Sequence, residues 1–354
     1  MSVRGALSCP ACEKPLPATP AIRGHDRLHG IPGEFVVHVC PWCGSGRTLP
    51  YVPADRLGEL YPSSYNAFAL PANLVLRVAA TALFRWRYWR ALRCPPLAEL
   101  SALGPGRVLD VGSGRGDLGL VLGEHGWRVT GIEPSREACD QANARGAPTL
   151  NGTLATVAAR LDPNFNAVVF QHSLEHVAEP LDDLRLARER LLPGGLLLVS
   201  LPNLGSWQAR RFGSDWFHLD LPRHRSHFTA RGMDLLLRRA GLEPLRTSTS
   251  TSADGLPMSI QYRRFGERRF RTGLPLYASL AVTLGTSPLT ALADRVGGAG
   301  DILHVVAYRP RQNPHPAGRR PYEADWSSSG RMGTIRRRSA TSRTRAVLFR
   351  TGRG

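Results

Sequence analysis

The sequence predicts an α/β fold built on a largely parallel sheet, with a small cysteine-rich module in front of it. Three observations carry this prediction. The stretch Arg107-Val-Leu-Asp-Val-Gly-Ser-Gly-Arg-Gly-Asp-Leu-Gly-Leu120 reads as a buried strand, a glycine turn and the start of a helix. Short apolar runs alternate with helical patterns from there to about residue 310, as in strand–helix–strand units. Two Cys-x-x-Cys pairs stand before residue 45.

The chain has 354 residues, room for about two domains. Its six cysteines are Cys9, Cys12, Cys40, Cys43, Cys94 and Cys139. Cys9-Pro-Ala-Cys12 and Cys40-Pro-Trp-Cys-Gly44 read as two zinc knuckles, each turn offering two thiolates to one tetrahedral ion. Phe35-Val-Val-His-Val39 supplies a strand leading into the second knuckle. The N-terminus has no apolar signal-peptide core, and no apolar run reaches the ~18 residues of a membrane span. A cytoplasmic location is therefore expected, where metal is a better reading of paired cysteines than disulfides. Four thiolates leave no open coordination position, so the zinc is expected to be structural.

Residues 1–60 are assigned to this zinc-ribbon-like module and 61–104 to a helical linker. The helix expected over 74–92 carries Phe84, Trp86, Tyr88 and Trp89 among Arg77, Arg85, Arg87 and Arg90. Those arginines do not share one helical face. Packing on the following domain is thus favoured over peripheral membrane contact, which remains the alternative.

Val108, Leu109 and Val111 form the expected first strand of the sheet. Gly112, Gly114 and Gly116 form the turn, and Asp117 is expected to cap the next helix. Glycines let backbone approach a ligand, and a helix N-terminus offers it free N–H groups. A dinucleotide turn places its third glycine three residues after the second, whereas Gly116 follows Gly114 by two. Arg128-Val-Thr-Gly-Ile-Glu133 is a second strand ending in an acid, about 20 residues on, where a ribose-binding carboxylate belongs. Ser135 is a helix N-cap. Thr149-Leu-Asn-Gly-Thr153 is a weak strand carrying Asn151 and no acid. Asn166-Ala-Val-Val-Phe-Gln171 is a buried strand. Residues 180–192 form a helix, and a Pro-Gly-Gly turn leads into a strand over 196–201. A helix over 229–240 ends at Gly241, and 242–247 and 302–308 are the last two strands.

The pattern Asp110-x-Gly112-x-Gly114-x-Gly116, followed by this series of elements, resembles the class I S-adenosylmethionine (SAM) methyltransferases over residues 105–310. The resemblance implies a Rossmann-like, seven-stranded sheet whose last strand is antiparallel. It also implies SAM as cofactor, bound by Asp110, Gly112, Ser113, Gly114 and Glu133, with Gln171 and His172 beside it. The knuckles, together with Tyr61-Pro-Ser-Ser-Tyr65, resemble the N-terminal module of bacterial methyltransferases associated with sugar and glycan biosynthesis.

Methyl transfer from a sulfonium needs alignment and, for many acceptors, a base, most often histidine. The candidates are His172 and His176 after the fourth strand, and His224 and His227 in a polar, aromatic lid over 203–227. His172-x-x-Glu175-His176 is similar to the Glu-x-x-Glu-His metal motif of ubiquinone-pathway O-methyltransferases and small-RNA 2′-O-methyltransferases. A second divalent metal at Glu175 and His176 is therefore admitted, although His172 replaces the first acid.

The formal charge is +18, and from residue 309 onward twelve arginines stand against Glu323 and Asp325, a net of +10. Residues 311–354 accordingly read as a basic disordered tail. Arg210, Arg211, Arg223 and Arg225 in the lid, with Arg263, Arg264, Arg268, Arg269 and Arg271 after it, point to an anionic acceptor. The expected activity is methyl transfer to a sugar, nucleotide-sugar or glycan/lipid precursor. The alternatives are an RNA methyltransferase that grips nucleic acid through the module and the basic segments, and a non-catalytic SAM-fold module.

Overall fold

A computed structural model of the chain describes residues 7–52, 60, 86, 89, 91–267, 285, 288, 289, 292, 295, 296 and 299–311. The Tyr61–Tyr65 motif, most of the helix expected over 74–92, Arg268, Arg269, Arg271 and nearly all of the basic tail lie outside these residues. The compact unit they belong to spans Met1–Asn313.

The N-terminal strands are β1 (Ile22–Gly24), β2 (Phe35–Val39) and β3 (Gly46–Leu49), joined in an antiparallel meander. The large sheet consists of β4 (Arg107–Val111), β5 (Arg128–Glu133), β6 (Thr149–Asn151), β7 (Phe165–Gln171), β8 (Leu191–Pro202), β10 (Glu243–Ser250) and β11 (Ile302–Tyr308). Its order is β10-β11-β8-β7-β4-β5-β6. Strands β4 to β8 pair in parallel, and β11 runs antiparallel to both β8 and β10. This is the seven-stranded Rossmann-like sheet with its last strand reversed.

Helices cover both faces, so the central strands read as unbroken apolar runs. Val108, Leu109, Val168, Val169, Phe170, Leu197 and Leu198 are all fully buried. Strand β8 begins at Leu191, earlier than the sequence implies. Its pairing with β7 jumps from Phe165↔Leu191 to Ala167↔Leu196, so the Leu192-Pro-Gly-Gly stretch is a bulge inside the strand and not a turn before it.

The helix after the glycine turn spans Asp117–Glu124, and its cap is Gly116 in the left-handed region (φ 75°), with no side-chain bond to it. Asp117 is not the cap. Its carboxylate pairs instead with Arg145 (2.6 Å) and Arg115 (3.2 Å), which lock the start of the helix to the next one. Ser135 does cap Arg136–Ala144, accepting from the Ala138 amide. Thr229 caps Ala230–Arg239, and Gly241 (φ 73°) follows that helix, so Leu242 N–H reaches back to the Leu237 carbonyl.

The cysteine-rich segment is continuous with this architecture. Cys9, Ala11, Leu16, Cys40 and Cys43 share one buried core with the large sheet and with Met233, Leu236 and Leu237. Strand β9 (Ser226–His227), from the lid, pairs with β3, so the small sheet runs β1-β2-β3-β9.

Candidate active site

The parallel strands deliver their C-terminal ends to one edge, where open α/β sheets bind ligands. At the end of β4, Asp110 is buried, and burial together with the charge of Glu133 pushes its carboxyl up to about 7. Glu133, at the end of β5, is also pushed up by burial, against two amides that favour its charge. Its carboxylate accepts from Gly114 N–H and from Ser135 N–H, both at 2.8 Å, and so ties the glycine turn to β5. Ser113 Oγ and Gln171 Oε1 are buried there without a hydrogen-bond partner. Asn151 donates to the carbonyls of Glu133 and Pro134.

The loop after β7 is docked on this turn. Ser173 donates to the Val111 carbonyl at 2.5 Å, and a Cβ on Gly112 would run into the Ser173 side chain. Gly112 therefore serves close approach as well as its positive φ of 78°. His172 adopts φ 54° and donates its amide to Ser200 on β8. The strained turn aims residues 172–176 at the lid.

Glu175 is the centre of what the lid covers. It is buried, and neither carboxylate oxygen has a hydrogen-bond partner. His172 Nδ1 stands 3.6 Å and His224 Nε2 3.9 Å from its Oε1. One ligand atom each from Glu175, His176 and His224 lies within 4.8 Å of the others. His176 Nδ1 meets the Arg223 carbonyl at 3.1 Å, and His224 Nδ1 meets the His218 carbonyl at 2.9 Å. Each ring thus carries its proton on Nδ1 and its basic lone pair on Nε2. Burial, with the neighbouring imidazoles His176 and His227, holds His224 well below the ordinary histidine range.

The four candidate histidines are thus sorted by their partners. His172, His176 and His224 gather around Glu175. His227 lies deeper, its Nε2 2.9 Å from Thr48 Oγ1, and burial lowers it to about 4. His218, also in the lid, bonds Asp301 at 3.0 Å, and that carboxylate outweighs burial and raises it.

The lid is fixed by groups that carry no motif. Arg223 has no exposed side-chain surface. It grips Asp26 with two bonds of 2.9 and 2.7 Å, and Asp220 with Nε and Nη2. Asp26 itself accepts the amides of Leu28, His29 and Ile31. Thr48 donates to the His224 carbonyl at 2.6 Å. The Asp26–Arg223 pair spans 197 residues of sequence, a separation at which no local pattern signals contact.

The four knuckle cysteines converge as well. Cys9 Sγ is 3.4 Å from Cys43 Sγ, Cys12 Sγ is 3.6 Å from Cys40 Sγ, and all four sulfurs lie within 4.8 Å of one another. The Cys43 sulfur and burial push the Cys9 thiol far above its usual range. A tetrahedral zinc with ~2.3 Å bonds separates its sulfurs by about 3.8 Å, close to this arrangement.

Residues 85–247 match the family model described as a methyltransferase domain. A ubiquinone biosynthesis O-methyltransferase of Cereibacter sphaeroides is 29% identical over 182 residues, 46% of this chain and 74% of that protein. One from Ruegeria pomeroyi is 30% identical over 150 residues, 39% of this chain and 60% of its own. Residues 85–247 form a class I SAM-dependent methyltransferase domain. A SAM-dependent methyltransferase of Archaeoglobus fulgidus aligns with this methyltransferase at 15% identity and a TM-score of 0.44, over 64% of this chain and 94% of that one. One from Mesorhizobium loti aligns at 21% identity and a TM-score of 0.43, over 62% and 97%. Among the described residues of the methyltransferase, no helix is long and apolar enough to cross a membrane.

Proposed function

We propose that this methyltransferase moves the SAM methyl group to a hydroxyl of a small anionic acceptor, a sugar, nucleotide-sugar or glycan/lipid precursor, held between residues 172–176 and the 203–227 lid. The observation that carries this is Glu175, a buried carboxylate without hydrogen bonds, ringed by His172, His176 and His224 on a loop seated on the glycine turn. The activity named for the relatives, O-methyl transfer, favours a hydroxyl acceptor.

SAM, when bound, supplies a methyl on a sulfonium centre that is open to in-line displacement. Among the described residues Asp110 faces no basic partner, and it suits the ammonium of the methionine end. Glu133 suits the ribose hydroxyls. Gly112 and Gly114 leave room for backbone approach, Ser113 and Gln171 add buried polar atoms that lack partners, and the exposed His172 completes the wall. Nε2 of His176 or His224 takes the acceptor's proton as the oxygen attacks, and the Glu175 charge stabilises the resulting imidazolium.

A second reading gives the same three residues a divalent ion. Two imidazoles presenting Nε2, each with Nδ1 held by a carbonyl, and one bare carboxylate are a transition-metal donor set. There the ion would lower the pKa of the acceptor hydroxyl. The Cys9, Cys12, Cys40 and Cys43 centre is proposed to hold a structural zinc.

A labelled-methyl assay over nucleotide-sugars, lipid-linked glycans, phenols and structured RNAs tests the proposal. His176→Ala and His224→Ala are each expected to lower turnover by about 10²–10⁴-fold with SAM affinity nearly unchanged. Turnover confined to RNA, or full activity in both variants, would overturn it. Activity restored by added divalent ion after mild chelation would select the metal reading.

A further inference from the structure

The arginines of the lid and of the segment after it are not equivalent. Arg223 is taken up by Asp26 and Asp220. Arg263 is taken up by Asp215 and by the carbonyls of Arg211 and Phe212. Arg210 caps the Gly205 carbonyl.

Arg225 differs. It is 5% exposed, Nε and Nη1 are buried without an acceptor, Nη2 donates to the Val52 carbonyl at 3.0 Å, and the guanidinium also interacts with the Tyr51 side chain. Its guanidinium lies over the Tyr51 ring, 4.0 Å from the centroid, which fixes its plane. Arg47, on β3 opposite Ser226, is 7% exposed and also has a buried Nε without a partner. Its one acid among the described residues, Glu179, is 3.6 Å away and largely solvated, and the charges of Glu179 and Arg47 both act on Arg225. Tyr51 and Glu179, the neighbours of the two guanidinium groups, are exposed.

A guanidinium cut off from water with open N–H donors is unfavourable unless something fills them. Two such groups, close enough for their charges to act on each other and one of them held flat, are donors of the kind that bind an oxyanion. The place is also apt. The Arg225 backbone N–H donates to the Glu175 carbonyl at 2.9 Å, and its carbonyl accepts from Thr48, so the residue is clamped against the reactive loop. An anion on its side chain would lie beside the cleft that holds the acceptor hydroxyl.

We infer that Arg225 and Arg47, under the Tyr51 ring, form a subsite for a phosphoryl group of the acceptor. This rests on the anionic-acceptor reading above and narrows it to two arginines, one of them in the cysteine-rich module. Bound there, the phosphoryl group sets the distance from the acceptor's anionic end to its reacting hydroxyl, so the pair determines specificity and takes no part in proton transfer.

The test uses the full-length chain with inorganic pyrophosphate as probe at low ionic strength, read by calorimetry and by the shift in melting temperature. Pyrophosphate is expected to bind and to raise the melting temperature. Both effects should fall at least tenfold in Arg47→Met and Arg225→Met, with SAM affinity unchanged. Methionine keeps the apolar stem, and if Arg225→Met fails to fold, Arg47→Met decides alone. Arg225→Lys should restore part of the binding. No pyrophosphate binding by the wild type, or equal binding by Arg47→Met, overturns the inference.

Turnover separates this subsite from the reading beneath it. With phosphorylated acceptors, the variants should raise KM and leave kcat nearly intact. If phosphorylated acceptors are preferred but Arg225→Met leaves their KM unchanged, the acceptor reading stands and this subsite falls. If pyrophosphate binds as expected but only neutral acceptors are methylated, the anion site stands and the acceptor reading falls.

Discussion

Asp110 and Glu133 are two buried acids whose charges oppose each other, and burial leads that opposition in holding Asp110 near 7. Such a pair is poised for a cation. When an ammonium arrives, Asp110 must be ionised, so below pH 7 binding releases a proton. SAM affinity is therefore expected to rise with pH up to about 7. It should fall again at higher pH, where the α-amino group of the ligand loses its own charge. Calorimetry in buffers of different ionisation enthalpy should detect the released proton near pH 6, and Asp110→Asn should abolish it while weakening binding. A pH-independent affinity in the wild type would remove Asp110 from the ammonium site. The shape of this corner was legible in the sequence because β4, the glycine turn and β5 lie within 27 residues and their geometry follows from local backbone needs. The histidines were less so. His224 and His227 look alike in the sequence, yet one faces Glu175 and the other Thr48, and only tertiary partners separate them.

Strand β9 is two residues long, too short for any periodicity to announce it, and its partner β3 lies some 180 residues earlier. That pairing nevertheless decides where the lid sits. Thr48 on β3 holds both the His224 carbonyl and the His227 ring, and Asp26 holds Arg223, whose own carbonyl orients His176. Thr48→Val keeps the shape and removes two hydrogen bonds, at a cost of about 1–3 kcal/mol. Asp26→Asn breaks a fully buried ion pair, typically about 3–5 kcal/mol. Both substitutions are expected to lower the melting temperature, Asp26→Asn more, and to reduce kcat while SAM affinity holds. A drop in stability with kcat untouched would reduce these contacts to plain scaffolding.

At the scale of the molecule, the cysteine centre is expected to govern mainly the lid side of the site. Thr229, the cap of Ala230–Arg239, donates to the Cys43 carbonyl at 2.6 Å, and Arg239 at the far end of that helix donates to the Ala11 carbonyl at 2.7 Å. A side chain on Gly232 would collide with Ser45, just beyond the second knuckle, so helix and knuckle are in contact. The cofactor candidates, by contrast, come from β4, β5, β7 and the loops that follow them, strands that pair only within the large sheet. Cys9→Ser/Cys12→Ser is the cleaner perturbation, because a chelator strong enough for four thiolates would also strip any ion at Glu175. The wild type is expected to hold about one zinc per chain, and the double variant none. Without the ion, four thiols in a shared core lose what draws them together, β3 loosens, and Thr48 and Asp26 release the lid. Turnover should then collapse and the melting temperature fall, while a SAM titration still gives an affinity within a few-fold of the wild type. If SAM binding vanished along with turnover, the centre would be supporting the whole sheet, and its particular hold on the histidines would have no basis.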